Sequence, residues 1–217
     1  MKIVCSFCKN TFLFNFAHTN FEKLNFLAHI YLSGNDDLLK IGNFIADTVR
    51  GKQYLDYPEM MQKGILLHRK IDTFTDEHPI FRRSKKRLIT EFGHYSGVIV
   101  DIFYDYFLAK NWQTYSKMPL NEYVQKFYAL LQEHKHLLNE RANYLIYYMI
   151  KENWLESYQT VQGIEKIFYQ MDRRTDFRSK MQFAPQFLQN NETDFEQDFF
   201  QFFSDISKEI NVLLTDK

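Results

Sequence analysis

Residues that punctuate turns are scarce in this chain: 217 residues contain 7 glycines and 4 prolines. A sandwich or barrel of many short strands needs a turn about every ten residues, so the scarcity favours long helices. Cysteine is scarcer still. Cys5 and Cys8 form a lone CxxC near the N-terminus, too little for a disulfide scaffold. A zinc site would need two further ligands, and only His18 is close. A redox pair would follow a βαβ pattern that is absent, so both thiols read as incidental. Net charge is absent too, with 27 Lys and Arg against 27 Asp and Glu, which removes the global electrostatic case for a nucleic-acid partner. No stretch approaches the roughly 18–20 consecutive apolar residues of a membrane span. The first apolar run is broken by Cys8, Lys9 and Asn10, with no small-residue cleavage site after it, so it does not read as a secretory signal. The expectation is a cytoplasmic protein with no membrane association.

Aromatic residues are abundant: 22 Phe, 14 Tyr and 2 Trp. The apolar pattern predicts a short helix over "NFLAHIYL" (25–32), then one from Asp36 or Asp37 through "LLKIGNFIADTVR" to Gly51. A third runs from Pro58 to Pro79, and a basic amphipathic helix follows to Gly93. An apolar helix starts at Gly97, and further helices cover about 120–138, 140–157 and 161–171. A long C-terminal helix carries Phe187, Phe195, Phe199, Phe202, Ile206 and Ile210 at helical spacing, a packing stripe rather than a cofactor box. No repeat or linker divides the chain. The fold class expected is all-α, one helical domain.

Two helices combine apolar surface with titratable groups. In "GILLHRKIDTFTDEHP" (64–79) His68, Asp72 and Asp76 are each four residues apart, on one helix face. A carboxylate at Asp76, near the helix end, is unfavourable beside the negative end of the macrodipole unless something binds it. In "VIVDIFYDYFL" (98–108) the only charged side chains are Asp101 and Asp105, again four apart, amid residues apolar nearly all round. Such a helix should be buried, and an ionised carboxylate there costs several kcal/mol unless paired or bound to a cation. Structural ion pairs to Arg or Lys are the alternative for each Asp. Imidazole mixed with carboxylate suits a divalent transition ion such as Mn²⁺, Fe²⁺ or Zn²⁺, and the absence of cysteine ligands argues against structural zinc. By themselves His29 reads as a packed core residue, and Asp47, sharing a face with Asn43, as part of a solvated stripe. His78, His94, His134 and His136 show no partner spacing and read as surface residues.

Four blocks in order, "NFLAHIYL", "GNFIADTVRGK", "GILLHRKIDTFTDEHP" and "VDIFYDYFLAKNW", resemble the acyl carrier protein phosphodiesterases over residues 25 to 205. That family is similar to the HD-domain metal-dependent phosphohydrolases in a distorted helical form. The resemblance implies removal of 4′-phosphopantetheine from the serine of holo-acyl carrier protein, with Mn²⁺ as preferred metal. It implies metal positions at Asp47, His68 and Asp72, with His29, Asp101 and Asp105 as additional ligands or acid/base groups. Asp72, His68 and Asp105 are the catalytic candidates. Two departures stand out. His and Asp are adjacent in ordinary HD proteins but a turn apart here at His68 and Asp72. Other members carry His where this chain has Tyr106, whose hydroxyl could still hydrogen-bond to phosphate. Residues 1–23 have no counterpart in the resemblance and are expected to be a start-site artefact or a poorly packed extension, leaving 24–217 as the catalytic domain.

The chemistry agrees with the residues. A phosphodiester repels nucleophiles by its charge and leaves as a poor alkoxide. A divalent ion counters the charge and activates water, while His or Asp manages protons. The cationic run Arg82, Arg83, Lys85, Lys86 and Arg87 is either a solvated face or a surface that steers an acidic carrier protein. The rival readings are the same chemistry on another phosphoester, such as a nucleotide, and a non-catalytic helical module.

Overall fold

A computed structural model describes residues 26–215. The expectations attached to residues 1–23, including Cys5, Cys8 and His18, lie outside the described residues. Helices α1 (Phe26–Leu32), α2 (Asp37–Ile45), α3 (Glu59–Glu77), α4 (Pro79–Phe92) and α5 (Ser96–Lys110), with the turn after α2, form the part that carries the candidate site residues. Helices α6 (Trp112–Tyr115), α7 (Leu120–Glu133), α8 (Glu140–Lys151), α9 (Trp154–Ser157), α10 (Val161–Arg174), α11 (Ala184–Asn190) and α12 (Glu192–Thr215) complete the chain. No strand occurs among the described residues, and the helices share one buried apolar core.

Local chemistry explains most boundaries. The Asp36 carboxylate accepts the Leu39 N–H at 2.8 Å and caps α2, and Asn139 does the same for α8 through the Ala142 N–H at 2.8 Å. Pro79 lies in the first turn of α4, where its missing N–H costs nothing, and it stops α3 two residues earlier. Helix α5 is buried from Ile99 to Ala109, as its all-round apolar sequence requires.

Three expectations need correction. The second helix stops at Ile45 and tightens into a 3₁₀ turn over Ala46–Thr48, so Asp47 sits on a turn rather than inside a helix. The segment expected as one helix over 140–157 is broken at Asn153, whose φ of 49° is left-handed. The C-terminal Phe stripe spans two helices. Phe187 belongs to α11, whereas Phe195, Phe199, Phe202, Ile206 and Ile210 are buried on α12.

Helices α2 and α3 pack with their backbones in contact, and two glycines permit it. A Cβ at Gly42 would come within 2.2 Å of the Met61 carbonyl oxygen, and one at Gly64 within 2.2 Å of the Leu39 carbonyl oxygen. Any side chain at either position would wedge the pair apart. The close approach sets Asn43, in the last turn of α2, and Asp47, on the 3₁₀ turn after it, against His68 and Asp72 on α3.

Candidate active site

Five side chains converge where α1, α2 and α3 meet. His29 and Asn43 are almost wholly buried, at 2% and 0% exposure. The rings of His29 and His68 stack with centroids 4.1 Å apart and planes inclined by 26°. The Nδ1 atoms of both rings lie against Asn43 Oδ1, at 2.9 Å for His29 and 3.1 Å for His68.

Carboxylates face the other edge of the rings. Asp72 bridges them, with Oδ1 at 3.5 Å from His29 Nε2 and Oδ2 at 3.5 Å from His68 Nε2. Asp47 Oδ1 lies 3.3 Å from His68 Nε2. These are ion-pair distances without hydrogen-bond alignment: neither buried Nε2 makes a hydrogen bond. Donor atoms of His29, His68 and Asp72 all fall within 4.8 Å of one another. The Asp47 and Asp72 side chains retain 27% and 22% exposure, so the cluster has a buried imidazole floor and a carboxylate rim open to water. The turn bearing Asp47 is anchored by Asn139, whose amide N–H donates to Thr48 Oγ1 at 3.0 Å.

The rim and floor shift each other's protonation. Burial and the neighbouring His68 push the His29 imidazole below its ordinary range. Burial alone would do the same to His68, but the Asp47 and Asp72 carboxylates outweigh it and hold that imidazole up, at about 9. Burial would raise Asp72, yet the two imidazoles facing its oxygens hold it well below the usual carboxylate range. A positive charge is strongly favoured between these groups.

The sequence-predicted residues divide cleanly. Asp47, His68, Asp72 and His29 come together. Asp105 is buried as expected, at 0% exposure, but its two oxygens accept the backbone N–H groups of Leu27 at 3.0 Å and Ala28 at 2.9 Å. It therefore caps α1 from a distant helix, fixing the turn that precedes His29, rather than reaching the cluster. Burial drives its carboxyl well above the usual range, those two N–H groups oppose the shift, and Asp101 adds to it. Asp101 is also buried on α5 and is not part of the group of close donor atoms. Asp76 is exposed, past the end of the cluster on α3. Tyr106 donates its hydroxyl to Glu192 at 3.1 Å, which ties α5 to the start of α12. His78 proves not to be a bare surface residue, since its Nε2 lies 3.5 Å from Asp205 on α12.

The basic helix divides as well. Arg83 Nε donates to Asp198 at 3.0 Å, and Arg87 pairs with the same carboxylate. Ser84 Oγ adds a third bond to it at 2.7 Å. These contacts pin α4 to α12, and Arg83, though exposed, shares its charge with Asp198. Arg82 and Lys86 are exposed and Lys85 is partly so. Arg82 Nε donates to the Asp76 backbone carbonyl at 2.9 Å. Asn43 was missed in the sequence. Its only signal was its place four residues before Asp47, a spacing that fits a solvated stripe equally well.

A family model described as acyl carrier protein phosphodiesterase matches residues 24–206. Proteins of that name from Enterobacter sp. (strain 638) and Pectobacterium atrosepticum are 32% and 28% identical, over 83% of this chain and 94% of each relative. The protein of that name from Photorhabdus laumondii is 29% identical over 83% of this chain and 91% of its own. No solved structure matches the chain significantly. The match over nearly all described helices shows that the chain belongs to the acyl carrier protein phosphodiesterase family.

Proposed function

We propose that the His29–His68–Asp72–Asp47 cluster holds a divalent cation and hydrolyses the phosphodiester between the serine of holo-acyl carrier protein and 4′-phosphopantetheine, in the cytoplasm. One observation carries the metal reading: two buried imidazole Nε2 atoms without hydrogen bonds face carboxylate oxygens 3.3–3.5 Å away. Lone pairs so opposed need a proton or a cation between them, and mixed nitrogen and oxygen donors suit Mn²⁺, Fe²⁺ or Zn²⁺. Mn²⁺ is the ion proposed. When bound, such an ion supplies neutralisation of the phosphoryl charge and a more acidic water.

The remaining work falls to the chain's own residues. The imidazole floor excludes water from one side and fixes the direction of approach. Asp72 holds both rings in register through its two oxygens. Asp47 and Asp72 form the solvent-facing rim, where a carboxylate not engaged by the ion can accept a proton from attacking water. Asp105 acts on the site at one remove, by holding the first turn of α1. An HD-like lineage is compatible with helices presenting His and Asp inward, although here the two are a turn apart on α3.

For the partner, the reading rests on α4, which follows α3 directly and leaves Arg82 and Lys86 exposed and Lys85 partly exposed. An acidic carrier protein would be drawn to that face by long-range attraction. Intact-mass spectrometry is the test. Incubation with Mn²⁺ should strip the phosphopantetheine mass from holo-carrier protein, and EDTA should prevent it. Metal-loaded protein that leaves several bacterial holo-carrier proteins unchanged would refute the substrate assignment.

A further inference from the structure

The environment of Asn43 permits one orientation of its amide. Its Nδ2 lies 3.1 Å from the His29 backbone carbonyl and 2.8 Å from Ser33 Oγ. Ser33 gives its own proton to that same carbonyl at 2.8 Å. A carbonyl only accepts, so the amide group beside it must be the NH₂. Turned over, the amide would bring two oxygens to 3.1 Å with no proton between them. The amide oxygen is thereby fixed on the opposite side, against both imidazole Nδ1 atoms. An oxygen acceptor admits only N–H partners, so each ring must carry a proton on Nδ1.

We propose that Asn43 is a positioning residue that sets the tautomer of both site imidazoles, holding His29 and His68 as Nδ1–H donors so that both Nε2 lone pairs face the Asp47 and Asp72 rim. The inference rests on the proposed cation site and gives it a selective element. A histidine ligand is useful to a metal only when the binding nitrogen is bare, and the partner of the other nitrogen decides this. Here a single oxygen makes that decision for two rings at once. The amide uses all its capacity in doing so, with two N–H groups donated and two lone pairs accepting. Ser33 is the support that keeps it from turning.

The experiment uses the full-length chain with ¹⁵N-labelled histidine, freed of metal and held at alkaline pH where both rings are neutral. Long-range ¹H–¹⁵N correlation distinguishes a protonated from a bare ring nitrogen. Wild-type protein should show His29 and His68 as Nδ1–H with bare Nε2, although histidine free in water favours the other tautomer. Asn43→Leu, of similar size, should move at least one ring to Nε2–H and weaken Mn²⁺ binding about 10–100-fold, read from the EPR signal of the free ion. Either ring carrying its proton on Nε2 in the wild type overturns the assignment, even if Asn43→Leu fails to fold. So does a folded Asn43→Leu with unchanged tautomers and Mn²⁺ affinity. Wild-type protein that takes up no Mn²⁺ but shows both rings as Nδ1–H would refute the metal reading and leave the Asn43 assignment standing.

Discussion

Replacing Gly64 by alanine probes the link between packing and chemistry. In an unconstrained helix interior the change should stabilise, by about 0.5–1 kcal/mol. Here the new Cβ would stand 2.2 Å from the Leu39 carbonyl oxygen and 2.7 Å from the Asn43 nitrogen. Both are backbone atoms and cannot rotate aside. Reaching an ordinary contact near 3.4 Å requires α2 and α3 to separate by about 1.2 Å. The 3.1 Å bond between Asn43 and His68 crosses that interface, as does the 3.3 Å approach of Asp47 to His68. Both would open beyond hydrogen-bond or ion-pair reach. Overpacking of this kind costs about 1–3 kcal/mol, and a displacement near 1 Å at reacting groups costs about a hundredfold in rate. Gly64→Ala should therefore lower the thermal midpoint by several degrees, at about 2–4 °C per kcal/mol for a chain this size, and reduce kcat/KM for holo-carrier protein about a hundredfold. Gly97→Ala is the control, because its Cβ would meet only the end of the Lys85 side chain at 3.9 Å. A Gly64→Ala protein with unchanged midpoint and turnover would refute the claim that this glycine contact builds the site.

Asp72→Ala and His68→Ala should each lower activity about a hundredfold or more with the circular dichroism spectrum preserved, since either removes a proposed ligand; near-wild-type turnover would move the metal elsewhere. An imidazole ordinarily titrates near 6.5, and Asp47 and Asp72 raise His68 to about 9, so its contribution to stability is complete below about 6.5 and lost as pH rises through about 9. Asp72, shifted downward, contributes above its unfolded range and loses that contribution as pH falls. Mn²⁺ must displace the His68 proton, so calorimetry near pH 7.5 in buffers of different ionisation enthalpy should show about one proton released; no buffer dependence would contradict the shared site. Reversing Arg82, Lys85 and Lys86 to Glu should raise KM for the carrier protein and weaken its salt dependence while kcat holds, and an unchanged KM at low salt would return that face to solvent. Asp198→Ala should cost about 1–2 kcal/mol, because Arg83 and Arg87 keep access to water, with Mn²⁺ affinity unaffected; a loss of affinity would show that α4 helps shape the metal site.

Periodicity alone was enough to determine that this chain is helical, that α5 is buried, and that His68 and Asp72 share a face, because each is a property of one segment repeating every 3.6 residues. The ordered motif blocks carried the family for the same reason, being written in the chain itself. Which carboxylates serve the cluster could not be read this way. Asp105 and Asp72 look alike in sequence, each an aspartate one turn after another titratable group on an apolar helix. Only tertiary packing sends the first to the N-terminus of α1 and the second to the paired imidazoles. Arg83 likewise resembles Arg82 until α12 brings Asp198 against it. Asn43 gains its place because two glycines let α2 and α3 touch. Contacts between segments far apart in the chain leave no periodic trace in either one, so the identity of the site's partners was decided by the fold.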